Sequence, residues 1–400
     1  MKKRNTPLIL LSINMFIAML GIGLIIPVLP QFLNEFQAGG KTAGYLIAAF
    51  GLTQFVFSPF GGEWSDKYGR KILIVAGMLL FAVSNLLFAL AHETWMLYLS
   101  RLVGGMSAAL MIPAMMAYVA DITTEEGRGK GMGLLGAAMS LGFVIGPGIG
   151  GLLAGIALRM PFYVSAGAGA LAMIGSILVL PETRSKEQQL ESRQSTVKQE
   201  SMLRQLMQSL KAPYFILLVL VFTLTFGLSN FEAVFPLFVD RKYSYTTGDI
   251  SILITVGALV GTVIQAAAID RLIHRFGEKK LINATFLLSA IMLVLMLLSG
   301  NFVYMLVLTT LFFTFTSIMR PAINTLLSKM AGNEQGFVAG MNNAYMSLGN
   351  IFGPTAAGIL FDLNLSFPYA FGAVVLVFSL YLSMRFGRKA GPVMQRAAGE

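Results

Sequence analysis

Residues Leu141–Gly151 read LGFVIGPGIGG, and residues Leu348–Gly358 read LGNIFGPTAAG. The two stretches share the string Leu-Gly-x-x-x-Gly-Pro at an offset of 207 positions, about half of the 400-residue chain. Further matches at offsets of 206 to 208 pair Gly21 with Gly227, Pro30-x-Phe32 with Pro236-x-Phe238, Gly51 with Gly257 and Pro113 with Pro321. Repeated matches at one offset predict a chain built from two related halves.

Apolar segments of about 20 residues recur along the whole chain, and each is long enough to cross a bilayer core of about 30 Å. Only 12% of the residues are charged and 56% are hydrophobic, whereas about 25% are charged in a typical soluble protein. The first apolar segment is too long for the core of a signal peptide. The sequence therefore predicts an all-α membrane protein with twelve spanning helices, at residues 7–33, 42–63, 71–91, 94–119, 131–155, 161–181, 213–239, 248–270, 280–299, 302–328, 336–360 and 366–385.

One long polar stretch, Glu182–Lys211, divides these helices six to six. We therefore predict an N-terminal six-helix bundle at 1–181, a cytoplasmic linker at 182–212 and a C-terminal bundle with a short cytoplasmic tail at 213–400. A regulatory binding site in the linker is the alternative. Six helices per half give both halves the same orientation, which is typical of transporters with a substrate site between two parallel repeats. A twelve-helix channel or receptor is a further alternative.

Basic residues are distributed very unevenly between the two sets of loops. The predicted cytoplasmic segments hold 23 Lys and Arg residues, and the opposite loops hold four. This bias places both termini in the cytoplasm, and it explains the net charge of +10 without a nucleic-acid partner. The chain has no cysteine, and its two histidines, His92 and His274, lie at predicted helix ends. Neither residue type indicates a metal site.

The segment after the second predicted helix reads Gly62-x-x-x-Asp66-Lys67-Tyr68-Gly69-Arg70-Lys71. It resembles the signature loop of the major facilitator superfamily, which in that family keeps the outward-open state closed on the cytoplasmic side. The resemblance implies a gating loop in which Asp66 accepts from a helix N-terminus or an arginine and Gly69 permits a tight turn. Simple charge anchoring is the alternative, but it explains neither Asp66 nor the glycines. The corresponding stretch Asp270–Lys280 is a degraded copy, so its gating role is doubtful.

Arg101 lies about 10 Å inside the fourth predicted helix, counted from Thr94 at 1.5 Å per residue. An arginine at such depth is costly and indicates a functional site. The string Leu99-x-Arg101-Leu102-x-x-Gly105 resembles the helix-4 motif of proton-coupled members of the superfamily, which implies that Arg101 takes part in proton coupling. A structural ion pair or backbone contact is the alternative.

The fifth predicted helix carries Gly142, Gly146 and Gly150 on one face, together with Pro147 and Gly151. Small residues at this spacing allow close helix contact, and proline bends a helix. The string resembles the antiporter motif of drug–proton exporters, which implies export. We expect the Gly146-Pro147 element to shape the sealed contact between the two halves, with Gly257-x-x-x-Gly261 as a plausible partner. Generic small-residue packing is the alternative.

Polar residues inside predicted helices of the second half include Glu232, Arg320 and Asn342, with Asn343 and Asn350 on the same predicted helix as Asn342. Glu232 is the one carboxylate clearly inside a predicted helix, so it can bind either a proton or a cationic substrate. We expect Glu232 to act in proton coupling, and Glu232, Arg320 and Asn342 to line the substrate cavity. A purely structural pair between Glu232 and Arg320 is the alternative.

The stretches Phe16–Leu24, Met319–Ala322 and Ala331–Phe337 extend the resemblance to the twelve-helix drug–proton antiporter family of bacterial multidrug exporters. This resemblance implies proton-driven efflux of lipophilic, often cationic, drugs and dyes from a monomer in the cell membrane, with no cofactor. Some relatives have a carboxylate before the helix-10 Met-Arg-Pro, where this chain has Thr316-Ser317-Ile318. A dedicated exporter of one metabolite, such as a polyamine or sugar, is the main alternative. A sensor would need a sizeable soluble domain, and no nucleotide-binding motif indicates an ATP-driven pump or an enzyme.

Overall fold

The structure is a computed structural model that describes residues 6–194 and 202–397. These residues form helices and no strand, as predicted. The helices are α1 Thr6–Glu35, α2 Gly40–Tyr68, α3 Arg70–Ala89, α4 Thr94–Ile122, α5 Glu125–Ile156, α6 Met160–Val179, α7 Lys186–Gln194, α8 Met202–Ser209, α9 Phe215–Tyr243, α10 Thr247–Phe276, α11 Glu278–Leu295, α12 Phe302–Ala331, α13 Gln335–Leu363 and α14 Phe367–Ala397.

Several helices are longer than the sequence predicts, among them α2, α5, α10 and α14. Helix α5 begins at Glu125 rather than at 131. The Thr124 hydroxyl accepts from the backbone N–H of Gly127 and caps the helix, and this cap outweighs the low helix propensity of the glycines that follow. Helix α2 continues to Tyr68, so most of the signature segment is helical and not a loop. The predicted linker also contains two short helices, α7 and α8.

Ten of the described helices are long and apolar enough to cross a membrane. Two long helices fall outside this group. Helix α11 has 18 residues and begins with three charged ones, Glu278, Lys279 and Lys280. Helix α13 carries Asn342, Asn343 and Asn350 in its interior, which lowers its hydropathy. Both helices nevertheless pack against spanning helices of the C-terminal half.

The chain divides into two compact units. Unit 1 comprises residues 1–198 and 245–255. In it, α1 packs against α5 and α6, and α4 packs against α2 and α3. Its core is formed by apolar side chains from these helices, among them Met15, Met78, Met111, Met115 and Tyr118.

Unit 2 comprises residues 199–244 and 256–400. In it, α9 packs against α13 and α14, and α11 packs against α12 and α14. The pairs α1·α5 and α9·α13 therefore occupy corresponding places in the two repeats, as do α3·α4 and α11·α12. Phenylalanines supply much of the core of this unit, including Phe231, Phe235, Phe238, Phe286 and Phe312.

Candidate functional site

The junction between α2 and α3 contains the predicted gating residues. Gly69 alone separates the two helices, and its φ of 107° lies in the region that favours glycine. A Cβ at Gly69 would also overlap the carboxylate of Glu182. Gly62, by contrast, lies inside α2, and a Cβ added there would have no neighbouring atom within 4 Å. The turn therefore requires Gly69, whereas close packing does not explain Gly62.

Asp66 and Arg70 form the centre of an ionic network at this junction. Asp66 Oδ1 lies 2.7 Å from Nη2 of Arg70 and 2.8 Å from Nη2 of Arg184. The nearly buried Arg70 side chain also contacts Oδ2 of Asp121 at 3.2 Å and donates to Oγ of Ser65 at 2.9 Å. The arginine partners that the sequence suggested for Asp66 are thus Arg70 and Arg184, and the network joins α2, α3 and α4.

The segment that follows α6 completes this network, although the sequence motifs did not indicate it. The Glu182 carboxylate accepts from the backbone N–H groups of Arg70 at 2.9 Å and Lys71 at 3.2 Å. These are the first residues of α3, so a negative charge lies at the positive end of the helix. Arg193 of α7 donates to the carbonyl oxygen of Lys67 at 3.0 Å.

Two further contacts hold the end of α6 and the residues that follow it. Lys71 Nζ donates to the carbonyl oxygen of Ile177 at 2.7 Å, and the Tyr118 hydroxyl donates to that of Pro181 at 2.7 Å. The only sequence signal for this arrangement was an acidic residue directly after helix 6. Its partner helix cannot be identified from the chain order alone.

The glycine face of α5 packs directly on the backbone of α1. A Cβ at Gly146 would lie 2.9 Å from Cα of Gly23 and 2.9 Å from the carbonyl oxygen of Leu20. At Gly142 and Gly150 it would overlap backbone atoms of Phe16 and Leu24. This contact lies within unit 1. The face that carries Gly142, Gly146 and Gly150 therefore builds the α1–α5 pair.

The remaining residues of the antiporter motif have different neighbours. Cβ atoms at Gly148 and Gly151 would meet Thr255 and Ser251 of the segment 245–255, which belongs to unit 1. Pro147 is buried, and its ring lies 3.0 Å from the Cβ position of Gly23. The glycines expected to be partners of this motif, Gly257 and Gly261, contact α12 instead, at Phe313, Thr309 and Ser317.

Arg101 lies inside unit 1 and is 8% exposed. Its guanidinium carbon stands 4.7 Å from the centre of the Phe88 ring, and its Nη2 donates to Oγ of Ser100 at 3.3 Å. Its Nε has no hydrogen-bond partner among the described residues. No ion pair of Arg101 is found among them either, so the structure does not supply the structural ion pair that was the alternative to a functional role.

Glu232 and Arg320 lie in unit 2, on α9 and α12, and their charges interact. No direct ion pair joins them in the described part of the chain. Glu232 is partly buried, and the Arg320 side chain is exposed. Asn342 on α13 is partly buried, its Nδ2 is 3.8 Å from Sδ of Met346, and its Oδ1 lacks a partner among the described residues. The Glu232 carboxylate is therefore not neutralised by direct contact with Arg320.

The repeated helix pairs, the signature junction and the glycine-packed contact of α1 with α5 are typical of a multi-pass membrane protein of the transporter class. The sequence profile described as "Major Facilitator Superfamily" matches residues 11–271 and 217–399. The chain belongs to this family, which confirms the predicted fold class.

Relatives of known name cover nearly the whole chain. The chain is 43% identical to "Multidrug resistance protein 2" of Bacillus subtilis over 387 residues, which is 97% of this chain and 96% of the relative. It is 37% identical to "Quinolone resistance protein NorA" of Staphylococcus aureus, over 91% of this chain and 92% of the relative. Among solved structures, a bacterial homologue of the lysosomal transporter Spinster superposes with a TM-score of 0.79 at 15% identity, covering 97% of both chains. The nucleoside transporter NupG superposes with a TM-score of 0.78 at 13% identity, covering 95% of this chain and 99% of that structure.

Proposed function

We propose that this protein is a proton-driven antiporter that exports diverse lipophilic, often cationic, drugs and dyes across the cell membrane. The similarity to named multidrug and quinolone resistance proteins over nearly the whole length supports this function. Both termini would lie in the cytoplasm, as the distribution of basic residues indicates. The protein would act as a monomer and need no cofactor, because the proton gradient supplies the free energy.

The observation that carries the mechanism is the position of Glu232. It is a carboxylate inside an apolar helix, with the positive charge of Arg320 nearby and no direct ion pair among the described residues. A carboxylate can hold either a proton or an organic cation, but not both. Competition for this one group would exchange the substrate for a proton. Arg320 and Asn342 would line the same substrate cavity.

The other motifs would serve the conformational cycle of alternating access. The gating element would consist of Gly62, Asp66, Gly69, Arg70 and Lys71. The ionic network centred on Asp66 and Arg70 ties α2, α3 and α4 together within it. Gly142, Gly146, Pro147 and Gly150 would keep α1 and α5 in rigid contact, and Gly151 would allow the segment 245–255 to approach α5 closely. Arg101 would contribute to proton coupling from inside unit 1.

The test is transport in liposomes under an imposed pH gradient, with a panel of cationic dyes and neutral drugs. Wild-type protein should bind a cationic dye less tightly as the pH falls, because protons compete for Glu232. Glu232→Gln should abolish the export of cations and remove this pH dependence, while sparing neutral substrates. An unchanged pH profile in Glu232→Gln would eliminate the exchange mechanism.

Arg320→Gln separates exchange from a structural pairing role. If Glu232 only neutralises Arg320, both variants should lose thermal stability, and transport of all substrates should fall by a similar factor. If Glu232 is the exchange site, Arg320→Gln should keep a pH-dependent binding of cations. Transport restricted to one metabolite, with no response to the dye panel, would favour the dedicated exporter instead.

A further inference from the structure

A cavity inside unit 1 has a single charged group on its wall. Residues of four helices line it: Gly21 and Ile22 of α1, Phe50 of α2, Asn85 of α3 and Arg101 of α4. Apart from Arg101, Asn85, Ser84 and Ser107, the wall is apolar. The cavity is thus a space within one bundle, and the guanidinium group of Arg101 borders it.

The charge of Arg101 is not compensated by any carboxylate that the structure describes in this unit. Its guanidinium group is buried, and no opposite charge lies close to it among the described residues. Arg159 of the same unit provides a comparison, because it also lies over a phenylalanine ring but pairs with Glu35 at 3.1 Å. A buried charge in a membrane bundle normally has a partner of opposite sign. For Arg101, that partner is missing among the described residues.

The other polar side chains of the cavity wall already donate hydrogen bonds to backbone carbonyl groups. The guanidinium group of Arg101 is therefore the donor that remains available. Ser84 and Ser107 donate to the carbonyl oxygens of Ser100 and Gly77, and the Asn85 amide donates to that of Phe81. Within the described part of the chain, the Nε of Arg101 remains without a partner, as does the Oδ1 of Asn85. An anion in the cavity can accept from the guanidinium group of Arg101, which is part of the wall.

We propose that this cavity is a binding site for a small monovalent anion or a carboxylate group, held by Arg101. The cavity volume is only about 20 Å³, which is little more than the space that one water needs. Size should therefore decide among monovalent anions, and affinity should fall in the order chloride, nitrate, thiocyanate. The anion comes either from solution or as the carboxylate of a transported compound. Occupancy of the site can be measured without transport, so its test does not depend on proton-driven export.

The test is thermal unfolding of the purified full-length protein in sodium thiocyanate, nitrate or chloride. Sodium sulfate, whose anion is divalent and has no carboxylate group, keeps the ionic strength constant. A ligand that binds the folded state raises the unfolding midpoint in a saturable way that follows its affinity. Wild-type protein should show saturation, with affinity in the stated order. A linear rise without saturation would show only a general salt effect and would overturn the proposal.

Two arginine variants locate the site. Arg101→Gln should abolish the saturable effect, whereas the matched variant Arg159→Gln, which also removes an arginine next to a phenylalanine ring, should retain it. An equal anion response in Arg101→Gln and wild type would refute the assignment. If Arg101→Gln does not fold, direct binding of radiolabelled chloride to wild-type protein decides, and absence of saturable binding overturns the proposal.

The two sources of the anion are separated by competition. A zwitterionic quinolone and its methyl ester differ only in the carboxylate group. If nitrate weakens the binding of the quinolone at least several-fold but leaves the ester unaffected, the site receives the carboxylate of a substrate. If nitrate binds without affecting either compound, the site holds a free anion.

Discussion

Replacing Gly146 by alanine tests the contact between α1 and α5 directly. The new Cβ would lie 2.9 Å from Cα of Gly23 and 2.9 Å from the carbonyl oxygen of Leu20, whereas ordinary contacts begin at 3.4 Å. The two backbones must therefore separate by about 0.5 Å, because no side-chain rotation can relieve a clash with backbone atoms. Overpacking of this kind costs about 1–3 kcal/mol.

Gly136 of the same helix is the matched control. No atom lies within 4 Å of its Cβ position, and alanine is favoured over glycine in a helix interior by about 1 kcal/mol. Gly136→Ala should therefore be neutral or slightly stabilising. Thermal unfolding of the two purified variants measures stability, and dye efflux from cells with equal amounts of membrane-inserted protein measures transport.

We expect Gly146→Ala to lower the unfolding midpoint and to slow efflux, and the larger Gly146→Leu to lose exchange or make it leaky. Gly353→Ala should behave like Gly146→Ala, because its Cβ would lie 2.6 Å from the carbonyl oxygen of Phe226 in the corresponding α9–α13 pair. Wild-type stability and efflux in Gly146→Ala, equal to those of Gly136→Ala, would refute the close-contact argument.

Three further predictions concern the helix ends. Asp66→Asn should slow transport while leaving substrate affinity within a few-fold, and lost binding with unchanged switching would contradict its gating role. Glu182→Gln should lower the unfolding midpoint by removing a charge worth about 0.3–1 kcal/mol at the α3 N-terminus, with the exposed Glu191→Gln, away from any helix N-terminus, as the control. The Tyr214 hydroxyl donates a hydrogen bond to the Glu334 carboxylate. Burial, together with this carboxylate, raises the pKa of Tyr214 to about 12. The loss of about 1 kcal/mol in Tyr214→Phe should therefore be the same at pH 6 and pH 9, and a pH-dependent loss would show that the phenol ionises.

The fold was predictable because each spanning helix corresponds to one continuous apolar segment of about 20 residues. The repeat was predictable because Gly146 and Gly353 serve the same backbone contact, which tolerates no side chain. The helix starts were harder, since a single cap such as Thr124 extends α5 through a glycine-rich stretch. Hydropathy also could not tell that Gly69 alone separates α2 from α3.

The candidate site was less predictable, because its contacts join residues far apart in the chain. Glu182 binds the start of α3 from 112 positions away, and its polar surroundings are typical of an ordinary linker. The sequence identified Arg101 as unusual from its depth, but the lack of a carboxylate partner could be seen only once the neighbours of Arg101 were known. The sequence left open a direct pair between Glu232 and Arg320, and the structure gives an electrostatic interaction without one among the described contacts.

The ends of the two repeats show which features the duplication kept and which it changed. In unit 1, Arg70 at the start of α3 pairs with Asp121 near the end of α4. In unit 2, Glu278 at the start of α11 pairs with Lys329 near the end of α12. Both positions are related by an offset of 208, and the signs of the charges are reversed. Attraction between the helix ends survives this exchange, so the pair as such maintains the fold of each bundle. Asp66 and Arg184, in contrast, join only the pair of unit 1 among the described ion pairs, and the degraded second signature has Asp270 further from Gly277. The extended network of unit 1 therefore exceeds what packing the helix ends requires, and it is the part of this junction that we assign to gating.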